Sequence, residues 1–309
     1  MHQEREPAVV VDGLRKTYGE KVAVDEISLI VHEGEIFGIL GPNGAGKSTT
    51  VEAIAGLRVG DRGRIRVHGI DPWTDRAALT EVLGVQLQEA KLQPKITVQE
   101  ALELWSAFYP DPEPWAPLAE RLGLGTHLSQ RFEDLSGGQQ QRLSIALALI
   151  GRPRVVVLDE LTTGLDPRAR REVWDLVRDV RDRGVTVILV THSMEEAQTL
   201  CDRIAIVDAG RIRALDTPAG LIDAGTAATI TTFDTSAAID LVSLREMDGV
   251  TAAYSANGTV TVEGAEGVAL AVIEALRMQG VSPQRLRVAA GSLDSAYLDL
   301  TDTPQEITR

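Results

Sequence analysis

A single cysteine, Cys201, stands among the 309 residues, so no disulfide can close within the chain and the cytoplasm is the expected compartment. Cys201 falls in a helix-like segment, where its expected role is that of a small buried hydrophobe. Long apolar runs are missing as well. The best candidates, Ser144 to Ile150 and Val185 to Val190, stop far short of the ~18 residues a membrane span requires, so this chain is not expected to form a pore itself. Met1 to Pro7 carry no apolar signal region. Basic residues are outnumbered, 31 Lys and Arg against 45 Asp and Glu, for a net charge of −14. A nucleic-acid groove requires the opposite sign, and no nucleic-acid partner is expected. The five histidines and the lone cysteine show no metal-ligand spacing.

What the chain does contain is a set of short motifs. Gly41-Pro42-Asn43-Gly44-Ala45-Gly46-Lys47-Ser48, followed by Thr49, fits G-x-x-x-x-G-K-[ST]. Closely spaced glycines let successive backbone N–H groups turn inward around phosphate oxygens, while Lys47 reaches the terminal phosphates and Ser48 offers its hydroxyl to Mg²⁺. The apolar run Ile36 to Leu40 predicts a strand before the loop, and Lys47 to Ala55 predicts a helix after it. That order aims a helix N-terminus at an anion.

Val155 to Leu158 predicts a buried parallel strand, and Asp159-Glu160 closes it at the end where open α/β sheets bind ligands. Asp159 is expected to hold Mg²⁺, directly or through water. Glu160 is expected to orient or deprotonate an attacking water, as phosphoryl transfer requires. Leu135-Ser136-Gly137-Gly138-Gln139 opens a further helix, a second terminus suited to an anion. One nucleotide has little use for two such termini on one subunit, unless the second serves a nucleotide held by another copy.

Taken in order with Gln88 and His192, these motifs resemble those of the ATP-binding cassette (ABC) ATPases, over roughly residues 1–220. The resemblance implies an α/β P-loop NTPase core with a helical subdomain at about residues 89–150, ATP and Mg²⁺ as cofactors, and an ATP-dependent homodimer. It implies that Ser136, Gly137, Gly138 and Gln139 of one copy meet the ATP on the other copy's phosphate loop, with Asp166 in the loop that crosses between them. Tyr18 matches the aromatic that stacks on adenine. Gln88 matches the glutamine that touches Mg²⁺ and the attacking water, with Gln86 as its competitor two residues away. His192, after the strand Val185 to Val190, matches the histidine set against the γ-phosphate. The family also implies a separate transmembrane permease and a place on the inner face of the cell membrane. The alternative is a soluble ABC ATPase acting on a macromolecular complex. One departure stands beside Glu160, where Leu161 replaces the family's usual proline. Losing that fixed φ either slackens the turn and slows hydrolysis or leaves it unaffected.

Along the chain, Val9 to Leu40 reads as strand-rich, Arg64 to Val67 as a short strand, and Leu79 to Gln141 as mostly helical with a proline-rich break at Pro110 to Pro114. Residues 151–216 return to alternating strand and helix. Leu221 to Gly225 reads as a linker into an accessory domain, 226–309. There Thr229 to Phe233, Thr259 to Val262 and Leu286 to Val288 predict strands. Val268, Val272, Ile273 and Leu276 predict an amphipathic helix. This small α+β domain, with its closing Ser292 to Leu300, resembles the C-terminal extension of drug- and antibiotic-exporter ATPases of the ABC-2 class. Regulation, dimer support, partner docking and a purely structural role all remain open for it.

Overall fold

The computed structural model describes residues 6–87, 92–224, 229–235, 239–256, 258–265, 267–290 and 292–302. The chain divides into two compact units, Met1–Leu215 and Asp216–Arg309. The first opens with β1 (Pro7–Tyr18), β2 (Lys21–His32), β3 (Ile36–Leu40), α1 (Lys47–Ile54) and β4 (Arg62–Val67). It continues through α2 (Arg76–Val82), β5 (Leu83–Gln86), α3 (Val98–Ser106), α4 (Trp115–Arg121) and α5 (Gly137–Leu149). The remaining elements are β6 (Val155–Asp159), α6 (Pro167–Asp182), β7 (Thr186–Thr191), α7 (Met194–Leu200), β8 (Arg203–Asp208) and β9 (Arg211–Asp216), whose last residue belongs to the second unit.

Two sheets form from these strands for different reasons. Every residue of β3, β6 and β7 is buried, as expected of strands covered on both faces, and they pair in parallel within the order β5-β6-β7-β3-β8-β9. In β2, by contrast, Ile27, Leu29 and Val31 are buried between exposed neighbours, the alternation of a one-sided antiparallel sheet of order β2-β1-β4. Val51 and Ile54 of α1 join Phe37, Ile39, Val157, Ile188 and Val207 of the parallel sheet with Val9, Ile27 and Ile65 of the antiparallel one in a single core. The helix that follows the phosphate loop is thus wedged by apolar packing from both sheets. Removing a fully buried Ile54 side chain down to alanine costs about 2–5 kcal/mol at such a site.

The register decides what meets at the sheet's C-terminal edge. Leu40 pairs with Thr191, and Asp159 pairs with Val190. Gly41, Glu160 and His192, each the next residue along its chain or nearly so, therefore emerge from neighbouring strands at one edge.

Two expectations need correction. Leu79 to Gln141 is helical at its start, in α2, but β5 then intervenes and pairs in parallel with β6 from Leu83↔Val155 to Gln86↔Leu158. A four-residue strand directly after a helix shows too little periodicity to be separated from it. Leu221 to Ala224 are not a linker but the last turn of α8 (Pro218–Ala224), while residue 225 lies outside the described residues. Thr217 caps that helix, its Oγ1 accepting from Gly220 N at 3.0 Å, Pro218 supplies a preset first position, and Leu221 is buried.

The second unit continues with β10 (Thr229–Asp234), α9 (Leu241–Arg245), β11 (Val250–Ala256), β12 (Thr259–Gly264), α10 (Val268–Met278), β13 (Gln284–Ala290) and α11 (Leu293–Asp302). Its antiparallel sheet runs β11-β12-β10-β13, and Val268, Val272 and Leu276 of α10 pack with Phe233, Val260 and Val262 in a core of its own. The expected strands and helix are all present, and β11, α9 and α11 add to them. Cys201 is the buried C-cap of α7, where burial pushes its thiol well above the usual range, so it packs as a hydrophobe.

Candidate active site

The phosphate loop owes its shape to glycines. Gly46 is the N-cap of α1 at φ +105°, and a Cβ there would stand 2.4 Å from the carbonyl oxygen of Ala23. A Cβ on Gly41 would stand 2.0 Å from the carbonyl of Val207. Neither position tolerates a side chain, so the backbone itself forms the surface. Gly46 gives α1 no side-chain cap, which leaves the first N–H groups of the helix for a ligand. Lys47 is nearly buried and its Nζ donates to the carbonyls of Gly41 at 2.7 Å and Pro42 at 3.0 Å. Burial lowers its pKa, an effect opposed by the charges of Glu160 and Asp159. Those three groups are therefore within electrostatic reach of one another.

An open cleft of about 340 Å³ lies against this loop, lined by Tyr18, Lys21, Ala23, Asn43, Gly44, Gly46, Lys47, Ser48, Thr49 and Glu160. Asp159 sits one residue behind Glu160 with only 4% of its surface exposed. Its N–H donates to Gln86 Oε1 at 3.0 Å, and Gln86 Nε2 donates to the carbonyl of Leu87 at 3.2 Å. Gln86 is thereby a brace between β5 and the carboxylate turn. Gln88 lies outside the described residues.

Glu160 adopts φ +50°, a left-handed conformation that costs a non-glycine residue energy. Its N–H donates to the Val190 carbonyl at 2.9 Å, and its Oε1 lies 3.1 Å from His192 Nδ1. The Glu160 side chain is almost buried, while that of His192 is half exposed. A carboxylate held beside Lys47 and oriented by an imidazole has the placement of a base for a water entering the cleft.

The residues after Glu160 are held from below. Leu161 is buried at 1% exposure, so its side chain anchors the turn that lacks proline. Thr162 Oγ1 donates to Glu196 Oε1 at 2.9 Å, and Trp174 Nε1 donates to the same oxygen at 3.1 Å. Glu196 escaped the sequence analysis. The only signal for it was Ser193-x-x-Glu196, which reads as a helix cap; Ser193 Oγ does accept from Glu196 N at 3.3 Å, but the carboxylate is turned into the core.

Ser136, Gly137, Gly138 and Gln139 do not line this cleft. Ser136 caps α5: its Oγ accepts from Gln139 N at 3.4 Å, and Gln139 Oε1 accepts from Ser136 N at 2.8 Å. Gln139 is thus engaged in a capping box. A Cβ on Gly137 would lie 3.3 Å from Leu165, and one on Gly138 3.4 Å from Ala169, so the motif packs on the segment that opens α6. Asp166 caps α6, accepting from Arg168 N and Ala169 N at 2.9 and 3.0 Å, and those bonds lower its pKa.

Mg²⁺ suits the donors present. The Ser48 hydroxyl and the Asp159 carboxylate are hard oxygen ligands, they flank a glycine cradle shaped for phosphates, and Mg²⁺ bound with a nucleotide completes its shell with phosphate oxygens and water. Among the described residues no cluster of three or more His, Cys, Asp or Glu offers an all-protein metal cage.

The sequence profile of the ABC transporter family matches residues 24–163. The chain is 41% identical over 221 residues to the Nod factor export ATP-binding protein I of Rhizobium etli, covering 70% of each. It is 36% identical over 312 residues to the daunorubicin resistance ATP-binding protein DrrA3 of Streptomyces coeruleorubidus, covering 97% of this chain and 98% of that one. Among solved structures, the ATP-binding cassette MJ0796, dimeric and bound to ADP and Pi after hydrolysis, superposes with a TM-score of 0.59 at 29% identity, over 68% of this chain and 98% of that one.

Proposed function

Since the chain belongs to the ATP-binding cassette family of transporter ATPases, we propose that its ATP hydrolysis drives export through a separate membrane permease, with a drug-, antibiotic- or lipid-like compound as cargo. The observation that carries export is the alignment with the daunorubicin resistance protein, which runs through both units rather than the cassette alone. No described helix is long and apolar enough to cross a membrane; in this reading the translocation path is the permease's.

The proposed division of labour follows from the site. Backbone N–H groups from Gly44 to Ser48 and the Lys47 ammonium bind the triphosphate, and Tyr18 at the cleft wall stacks on adenine. Ser48 and Asp159 would hold Mg²⁺, with Gln88 as a further ligand; when bound, the ion draws negative charge from the phosphate oxygens. Glu160 aligns a water and takes its proton, while His192 keeps the Glu160 carboxylate in place and faces the γ-phosphate. Ser136, Gly137 and Gly138 serve the ATP of a second copy, with Asp166 beside the joint. None of these residues lines the cleft of its own chain, which supports that arrangement. The protein is then peripheral on the inner face of the membrane.

Affinity capture of the full chain from gently solubilised membranes of its native host tests the transport assignment. An integral membrane protein should co-purify in fixed ratio and alter the ATPase rate. Recovery of an active ATPase dimer with no membrane protein, and its absence from the membrane fraction, would instead favour a soluble ABC ATPase.

A further inference from the structure

Tyr18 ends β1 and is 41% exposed, with its ring on the nucleotide cleft. Two cations stand over that ring, Arg58 with Cζ at 5.3 Å from the centroid and Lys16 with Nζ at 5.9 Å. Neither lines the cleft. Lys16 is engaged elsewhere, its Nζ donating to Asp61 Oδ1 at 2.8 Å. Arg58 is tied to α1: its N–H donates to the Glu52 carbonyl at 3.1 Å and its Nε to Glu52 Oε2 at 2.5 Å. The guanidinium over Tyr18 is therefore fixed by the same helix that begins with Lys47 and Ser48.

We propose that Arg58 is a positioning residue for the base of the nucleotide, backing Tyr18 on the face turned from the cleft so that adenine stacks on the other face. This rests on the reading that Tyr18 carries the base. A bare phenol ring at a strand end would pivot about its Cα–Cβ and Cβ–Cγ bonds and lose stacking area. A planar cation over one face holds the ring by its quadrupole and leaves the opposite face for a second π-system. Arginine suits this position because its guanidinium is flat, always charged and weakly hydrated, and because Nε can bond Glu52 while the plane covers the ring. Glu52 thus links the base-binding and phosphate-binding ends of the site through one salt bridge.

The test compares ATP with inorganic tripolyphosphate, which carries the phosphates without a base, in titrations of the full-length chain. An exposed cation–π contact corresponds to a change of about threefold in affinity. Arg58→Ala should weaken ATP by about that factor, leave tripolyphosphate unchanged, and raise KM for ATP with little change in kcat. Arg58→Lys, which keeps a cation over the ring, should recover most of the loss. In a Tyr18→Ala background, Arg58→Ala should have no further effect. The Arg58 side chain is substantially exposed, and the Lys variant reports even where alanine impairs expression. Equal loss of ATP and tripolyphosphate would mark Arg58 as a structural support of α1 and overturn the proposal. Unchanged ATP affinity in Arg58→Ala would overturn it too, if Tyr18→Ala weakens ATP. If Tyr18→Ala itself leaves ATP affinity intact, the base-stacking reading fails, and the role of Arg58 falls with it.

Discussion

At the scale of single residues the site depends on a carboxylate in an unfavourable backbone conformation. Glu160 stays at φ +50° because a parallel-sheet hydrogen bond to Val190 and a side-chain contact to His192 hold it there. Glu160→Gln preserves size and backbone demand while removing the charge, so the loop, Lys47 and Asp159 should be undisturbed. We expect this variant to bind ATP normally and to hydrolyse it at least about tenfold more slowly, a barrier increase of about 1.4 kcal/mol. It should also accumulate as a dimer in ATP, visible by size-exclusion chromatography. Phosphate release at the wild-type rate would remove Glu160 from the role of base. The motif residues were legible because each does local work that a short pattern records: glycines where a Cβ has no room, a carboxylate at a strand end. The bracing role of Gln86, named only as a competitor of Gln88, was not legible, and Glu196 was not legible at all. Their partners lie 73 and 34 positions away in sequence, and only the folded sheet brings them together.

At the scale of elements, the strands and helices that read clearly were those buried on both faces or strongly amphipathic, β3, β6, β7 and α10. β5 and β11 did not: β5 is four residues set directly after a helix, and β11 carries small residues, Ala252, Ala253 and Ser255, in place of a clear apolar alternation. One junction between elements is electrostatic. Asp61, just ahead of β4, accepts from Lys16 Nζ, Thr17 N and Thr17 Oγ1 at the end of β1, and those bonds lower its pKa from 3.8 to about 2. A depressed carboxylate pKa stabilises the fold above the unfolded value and loses that contribution as pH falls through the folded value. The difference in stability between wild type and Asp61→Asn should therefore be full above about pH 5 and close as pH drops from roughly 4 to 2. Urea unfolding across that range measures it. A difference independent of pH would mean the bonds to Asp61 do not depend on its charge.

At the scale of the whole molecule, one chain carries two glycine-opened helix termini of the kind suited to an anion, α1 on the cleft and α5 outside its lining. If Ser136 serves a nucleotide bound by another copy, Lys47→Ala and Ser136→Arg are complementary lesions. Each homodimer lacks any intact site. A mixed dimer pairs both lesions at one site and leaves the other whole, so mixing the two inactive variants should recover measurable ATPase activity. A verified heterodimer as inactive as its parents would count against a shared site, provided single-site variants in linked dimers are shown to turn over. The C-terminal unit has its own core, around Phe233, Val262 and Val272, and every motif residue of the site precedes it.

The sequence by itself determined the chemistry. Glycine spacing ahead of a lysine, paired carboxylates at the end of an apolar strand and a Ser-Gly-Gly turn are local patterns, and each suggests a role within a few residues. It also pointed to the alternation of strand and helix in the core, since short apolar runs rich in Val and Ile, such as Val155 to Leu158, suit a doubly covered sheet. Tertiary structure decided what those patterns could not carry. Parallel pairing of β3, β6 and β7 aligns Gly41, Glu160 and His192 at one edge, although they are scattered over 151 positions of chain. Packing determined that Gln86 braces Asp159, that Leu161 anchors its turn by burial, that Glu196 lies inside, and that Arg58 stands over Tyr18. Such contacts arise from sheet register and helix placement across long sequence separations, and no window of adjacent residues encodes them.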